Sequence, residues 1–205
     1  MQTTDIRPIL IDIPMPIVTP RLIIRPAMPG DGAAIHANKI ETWDQLSRWM
    51  PWAKAIGTAE NDEATVREAY AKFIRRDDMM MIGIDRETGH IVMGTGLHRY
   101  CWTVRRFEIG YWVTKSAQGR GYATEGTNAL TRYAFGALKA RRVDIAHAAG
   151  NEASRRVIEK LGFIPETIRK MNAALPDGTV TDHHDYVRFD TDGLPALDIE
   201  WGLEK

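Results

Sequence analysis

Hydrophobic and polar positions alternate most clearly from Phe107 to Thr114. Phe107, Ile109, Tyr111 and Val113 take turns with Glu108, Gly110, Trp112 and Thr114, and a period of two puts the two sets on opposite faces of a β-strand. At Tyr122 the period changes. Tyr122, Gly126, Leu130, Tyr133 and Ala137 recur in steps of three and four, the spacing of one helix face, and the helix is expected to run to about Lys139. Between strand and helix lies the glycine-punctuated loop Ser116-Ala117-Gln118-Gly119-Arg120-Gly121.

The rest of the chain divides by the same rules. Residues 19–25 read as a first strand that Pro26 ends. Asp31 is expected to cap a short helix running through Ile35 to about Asn38. In residues 42–53, Trp43, Leu46 and Trp49 share a helical face, and Pro51 stops the helix. Residues 58–76 predict a longer helix, with Thr58 as cap, acids in its first turns and Arg75 and Arg76 in its last. Its apolar stripe is Val66, Tyr70, Phe73 and Ile74. Residues 79–84 and 91–97 form a hairpin, and residues 142–149 a further strand. Asn151 caps a helix that ends at Leu161 before Gly162, and residues 179–189 hold a late strand. The whole is α/β in the middle with antiparallel pieces around it. Residues 1–18 read as a Pro-rich extended arm, 19–189 as the folded domain and 190–205 as an irregular tail.

Composition narrows the function classes. The 205 residues are 44% hydrophobic and 26% charged, ordinary for a soluble globular domain. Lys plus Arg equals Asp plus Glu at 27 each, without the basic excess of a nucleic-acid binder. No apolar run is long enough to span a membrane, the N-terminus lacks the pattern of a signal peptide, and the lone Cys101 fits a reducing cytoplasm. His183-His184 has no companion in metal-ligand spacing, so no metal is expected.

A strand feeding a Gly-rich loop that opens a helix is a cradle for an anion. The first amides of a helix lack intrahelical partners, the dipole adds partial positive charge, and Arg120 adds a full one. A phosphate or pyrophosphate is the natural guest. No Lys-Ser or Lys-Thr closes the loop as in a P-loop, and the glycine spacing is not G-x-G-x-x-G. Gln118-Gly119-Arg120-Gly121-Tyr122-Ala123 instead fits Q/R-x-x-G-x-G/A. It resembles the acetyl-CoA pyrophosphate loop of the GNAT N-acetyltransferases.

Further segments resemble the RimJ/RimL-like branch of that superfamily, which includes ribosomal-protein N-terminal acetyltransferases. They are Thr19-Pro20-Arg21-Leu22, Trp49-Met50-Pro51-Trp52, Glu108-Ile109-Gly110-Tyr111-Trp112, Gly121-Tyr122-Ala123-Thr124-Glu125, and Asn151-Glu152-Ala153-Ser154 followed by Glu159-Lys160-Leu161-Gly162-Phe163. The resemblance implies the GNAT fold, a central, mostly antiparallel sheet flanked by helices. It implies acetyl transfer from acetyl-CoA to a primary amine, without a metal, by a monomer or homodimer. The acceptor is a protein N-terminus or a small-molecule amine such as an amino acid or antibiotic; a non-catalytic acyl-CoA-binding module is the alternative.

Carried over by motif, Gln118, Gly119, Arg120, Gly121, Tyr122, Ala123 and Thr124 hold the pyrophosphate. Free amides around Trp112, Val113 and Thr114 hold pantetheine and polarise the thioester. Asn151 either caps its helix or binds pantetheine. Glu108 is the candidate base, directly or through a water, and Ser154 the candidate acid for the departing thiolate, because Ile158 stands where many relatives place a tyrosine. Trp49 and Trp52 wall the substrate pocket or pack in the core. An α-amine titrates near pH 7.7–8.0, so roughly a tenth is neutral at pH 7, against almost none of a lysine near 10.4. A weak base therefore favours an N-terminal acceptor.

Overall fold

The computed structural model describes residues 7–202. In chain order its elements are β1 (Ile17–Val18), β2 (Leu22–Pro26), α1 (Gly32–Glu41), α2 (Trp43–Trp49), α3 (Ala59–Arg75), β3 (Met79–Asp85), β4 (Ile91–Cys101), β5 (Arg106–Val113), α4 (Tyr122–Gly136), β6 (Arg142–Ala148), α5 (Glu152–Lys160), β7 (Ile164–Ala174), β8 (Val180–Arg188) and β9 (Glu200–Trp201). Among the described residues the strands make one sheet, ordered β7-β8-β6-β5-β4-β3-β2-β1-β9. Every neighbouring pair is antiparallel except β5 and β6. This is the mixed α/β arrangement, mostly antiparallel, that the sequence implies.

The two faces of the sheet are covered by different helices. Met79, Met81, Met93, Leu97, Phe107 and Ile109 meet Tyr122, Leu130 and Tyr133 of α4 and Ile158 of α5 in the larger core. Gly126 lets α4 come close, because a methyl there would lie 2.6 Å from the Met93 sulfur. On the other face Ala27, Ile35, Val66 and Ile82 form a smaller core beneath α1 and α3. Thr58 caps α3 in a reciprocal box with Asn61. In the α3 stripe Val66 and Phe73 are buried, whereas Ile74 is exposed and Ala69 packs inward in its place.

Several expectations need correcting. Asp31 does not cap α1; its carboxylate turns back to the Met28 amide and the Arg25 guanidinium. Glu63 of α3 reaches across to the amides of Gly30 and Gly32 instead, and α1 runs on to Glu41. β4 does not end near residue 97 but runs on to Cys101. The arm and tail each give the sheet a strand: Ile17–Val18 pairs with both β2 and Glu200–Trp201. The tail also lies along α4, where Pro195 O accepts from Asn128 and Arg132 and the Trp201 ring meets Tyr133 edge-on at 5.8 Å. An entire strand, Ile164–Ala174, precedes the late one and forms the sheet edge.

Candidate active site

The two parallel strands part in mid-course. β5 pairs with β6 only through Arg106, Phe107 and Glu108. Beyond Glu108, β6 continues beside β8 while β5 continues beside β4, and a gap opens between them. Successive peptide groups of a strand point to opposite sides. The Thr114 amide donates to Val92 O at 3.0 Å, on the β4 side, so the amides of Val113 and Tyr111 face the gap. This corrects the expectation for Thr114, whose amide is spent on the sheet; Trp112, by the same alternation, also points its amide at β4. Of the three residues, Val113 alone offers its amide to the opening. The Trp112 side chain lies over its cross-strand partner Gly94, where no Cβ would fit.

At the mouth of the gap the chain turns through a 3-10 segment, Lys115–Ala117, into the loop. Gln118 sends its carboxamide to Val113 O at 2.9 Å and to Gln45 of α2, tying the loop to both. Gly119 and Gly121 have φ of +72° and +84°, a left-handed backbone that glycine adopts without strain. Among the described residues the six consecutive amides of residues 119–124 donate to no protein acceptor. Six unpaired donors converging on a helix N-terminus beside Arg120 make a site for a polyanion of pyrophosphate size.

Two motifs that the sequence shows separately are one contact. Glu125, buried in the first turn of α4, accepts from the Thr19 hydroxyl at 2.7 Å, the Arg21 amide at 3.0 Å and Arg21 Nε at 2.6 Å. Arg21 also donates to Arg120 O at 2.7 Å and stacks on the Tyr122 ring. The Tyr122 hydroxyl donates to Asp85 at the end of β3. That bond, with donors from Thr88 and Glu87, draws the Asp85 carboxyl down to about 2. Because the folded value lies below the unfolded one near 3.9, Asp85 contributes stability above pH 4 that is lost as pH falls through about 2. Urea midpoints measured between pH 2 and 6 should show the gap between the protein and Asp85→Asn closing over that range.

On the α5 side, Asn151 accepts from the Ser154 amide at 3.2 Å and so is the helix cap. The Ser154 hydroxyl is free of capping and lies 3.0 Å from the Tyr111 hydroxyl. The sequence places Tyr111 in the strand and in the Glu108–Trp112 motif but assigns it no role in the reaction, yet its phenol comes from β5 to the place that Ile158, fully buried in the core, does not serve. Burial pushes that phenol up to about 12, against the pull of Ser154, so it keeps its proton through the neutral range.

Glu108 lies at the last paired position before the gap, on the opposite face of β5 from Tyr111, with one carboxylate oxygen engaged by Arg99. The two tryptophans are not brought together. The Trp49 ring comes within 3.6 Å of a Cβ position on Gly150, beside Asn151, whereas Trp52 is 51% exposed with Lys39 over its ring. His183 and His184 lie on β8, the first beside Asp185 and the second stacked on His147.

A family model described as "Acetyltransferase (GNAT) domain" matches residues 21–164. The chain belongs to the GNAT acetyltransferase family. This GNAT protein is 32% identical over 195 residues to the Bacillus subtilis (strain 168) protein named "Putative ribosomal N-acetyltransferase YdaF", covering 92% of this chain and 97% of that one. Its fold matches that of RimL, a ribosomal L7/L12 alpha-N-protein acetyltransferase, in complex with coenzyme A, at a TM-score of 0.79 and 21% identity over 85% of this chain and 97% of the other. The ribosomal-protein-S5-alanine acetyltransferase from Vibrio fischeri matches at 0.77 and 19% over 90% and 100%. Membership makes this GNAT chain an acetyl-CoA-dependent N-acetyltransferase. No helix among its described residues is long and apolar enough to cross a membrane.

Proposed function

We propose that this acetyltransferase modifies the N-terminal α-amine of a protein or peptide. Its residues fall into four working groups around the β5–β6 gap. The amides of residues 119–124, with Gln118 and Arg120 beside them, receive the CoA pyrophosphate. The Val113 amide, facing the gap, donates to the thioester carbonyl and stabilises the negative charge that grows on its oxygen during attack. On the far side of β5, Glu108 attracts the acceptor in its ammonium form. On the near side, Ser154 backed by the protonated Tyr111 donates toward the sulfur as the thiolate departs. Trp49 lies close to Asn151 and closes this end of the site.

The observation that carries the reading is the run of six unpaired amides at the mouth of a parted strand pair. It supplies an anion cradle and a thioester slot in one line, and the Tyr111–Ser154 pair lies beside that slot. The α-amine is favoured because about a tenth of it is already neutral at pH 7, and because the relatives named above are ribosomal N-acetyltransferases.

The test is thiol release from acetyl-CoA with hexapeptides beginning Ser, Ala or Met, set against free amino acids, spermidine and an aminoglycoside. Peptides with a free N-terminus should be turned over, and the same peptides blocked by N-formylation should not. Turnover confined to the small amines would overturn the acceptor assignment.

A further inference from the structure

The face of β4 and β5 turned away from α4 and α5 carries Gly94, Gly96 and His98 on one strand and Glu108, Gly110 and Trp112 on the other. Gly96 and Gly110 stand opposite each other, so two side chains are missing from the middle of this face. Trp112 covers Gly94 at one end of the row. His98, directly across from Glu108, stands at the other end and lays its imidazole into the room over Gly96, with Nε2 and Cε1 2.7 and 2.8 Å from a Cβ position there. Its Cδ2 and Nε2 lie 3.2 and 3.5 Å from a Cβ position on Gly110. Gly110 belongs to the stretch of β5 that has lost its β6 partner, so the imidazole edge overhangs the point where the gap begins.

His98 Nδ1 is 2.8 Å from Asp78 Oδ1. An ionised carboxylate only accepts, so Nδ1 must carry the proton, and neutral His98 presents an Nε2 lone pair. Among the described residues Nε2 has no hydrogen-bond partner. Glu108 is differently placed. The pairing of β4 with β5 breaks between His98 and Cys101, and Arg99 has φ of +43°. A regular strand would aim Arg99 at the opposite face. The left-handed turn swings it back onto Glu108, an example of a bulge that re-aims a side chain. Arg99 thus occupies Glu108 and leaves His98 with an open nitrogen. The charged groups around the imidazole are Asp78 before β3, Arg99 on β4 and Glu108 on β5.

We infer that His98, oriented by Asp78, is the general base that takes the proton from the acceptor ammonium, with Glu108 as its electrostatic anchor. This rests on the acetyl-transfer reading above and adds a residue that no motif in the chain marks. The ammonium gives one proton to Nε2, which passes it to water. The freed lone pair attacks the thioester carbon, the C–N bond forms and the C–S bond breaks with its electrons on sulfur. The nitrogen sheds a second proton, which balances the one that sulfur takes through Ser154. Asp78 is a positioning residue.

The test pairs kinetics with a measurement independent of turnover. At pH 7, His98→Gln should lower kcat/KM for a free-N-terminus hexapeptide about tenfold or more, while stabilisation by acetyl-CoA stays unchanged. The loss should vanish near pH 9, where the α-amine is neutral without help. Asp78→Asn should displace the ascending limb of the pH profile, and Glu108→Gln should chiefly raise the peptide KM. Long-range 1H–15N spectra, with the His98 signals found by their absence in His98→Gln, should show the Nδ1–H tautomer at pH 8 and its loss in Asp78→Asn. A His98→Gln profile that overlays that of the unaltered protein, or a uniform loss at every pH, would overturn the assignment. So would an Nε2–H tautomer, whatever the enzyme turns over. If no peptide is turned over but the Nδ1–H tautomer is found, the acceptor proposal fails while the base stands, and the pH series is repeated with whichever amine releases thiol.

Discussion

Replacing Ser154 by alanine should lower kcat by about a hundredfold, the lower range for loss of one proton-transfer group, and leave the acetyl-CoA KM within about twofold. Asn151 caps α5 through the Ser154 amide rather than through its hydroxyl, so the substitution leaves the helix start intact. What it removes is the partner 3.0 Å from the Tyr111 phenol. Tyr111→Phe should cost about tenfold alone and little more in the Ser154→Ala background, because the two hydroxyls act as one donor chain. The Tyr111 phenol, lifted to about 12 by burial, should leave no descending limb in the rate profile below pH 10. Initial rates of thiol release across pH 6–10 check all three statements. Unchanged kcat in Ser154→Ala would remove the serine from the reaction.

Glu125→Ala should be the most damaging single change outside the reacting groups. The buried carboxylate satisfies the Thr19 hydroxyl, the Arg21 amide and the Arg21 guanidinium together, and truncation strands all three donors. Losing a buried charged acceptor costs about 3–5 kcal/mol. The Arg21 side chain is 45% exposed and water can take over part of its demand, so about 2–4 kcal/mol is expected here. For a chain of this size that lowers Tm by roughly 4–16 °C. The same change frees the first turn of α4 from the turn between β1 and β2, so acetyl-CoA affinity should fall as well. Differential scanning fluorimetry with and without acetyl-CoA reads both effects. A variant as stable as the parent would show that the clamp is incidental.

The clarity with which each feature could be read in the sequence follows its physics. The Phe107 strand, its loop and the Tyr122 helix were legible because one face of each is buried, and burial imposes a period. The Thr58 cap was legible because a threonine just before an acid-rich first turn is a local signal; its partner in the box, Asn61, was not. β7 was not, because nearly all of its side chains are exposed and nothing enforces alternation on an edge strand. Pro165 and the left-handed Met171 also break its pattern. β1 and β9 are two residues each, too short for any period, and exist because each completes the other. The site divides in the same way. Residues 118–124 and Ser154 lie in contiguous motifs. Tyr111 meets Ser154 from 43 positions away, and Glu125 meets Arg21 from 104; only the fold brings such partners together. The amide of Thr114 was misjudged because strand phase is set by the neighbouring β4, which the sequence does not display.

Hydrogen exchange with and without acetyl-CoA tests the central claim most directly. In the free protein the amides of residues 119–124 have no acceptor among the described residues and should exchange within seconds. Saturating acetyl-CoA should slow them by at least about tenfold, together with Val113 across the gap, while β7 and β8 stay as they were. Bound acetyl-CoA with no protection at residues 119–124 would contradict the account, because the pyrophosphate would then rest somewhere other than on the amides that the fold leaves open.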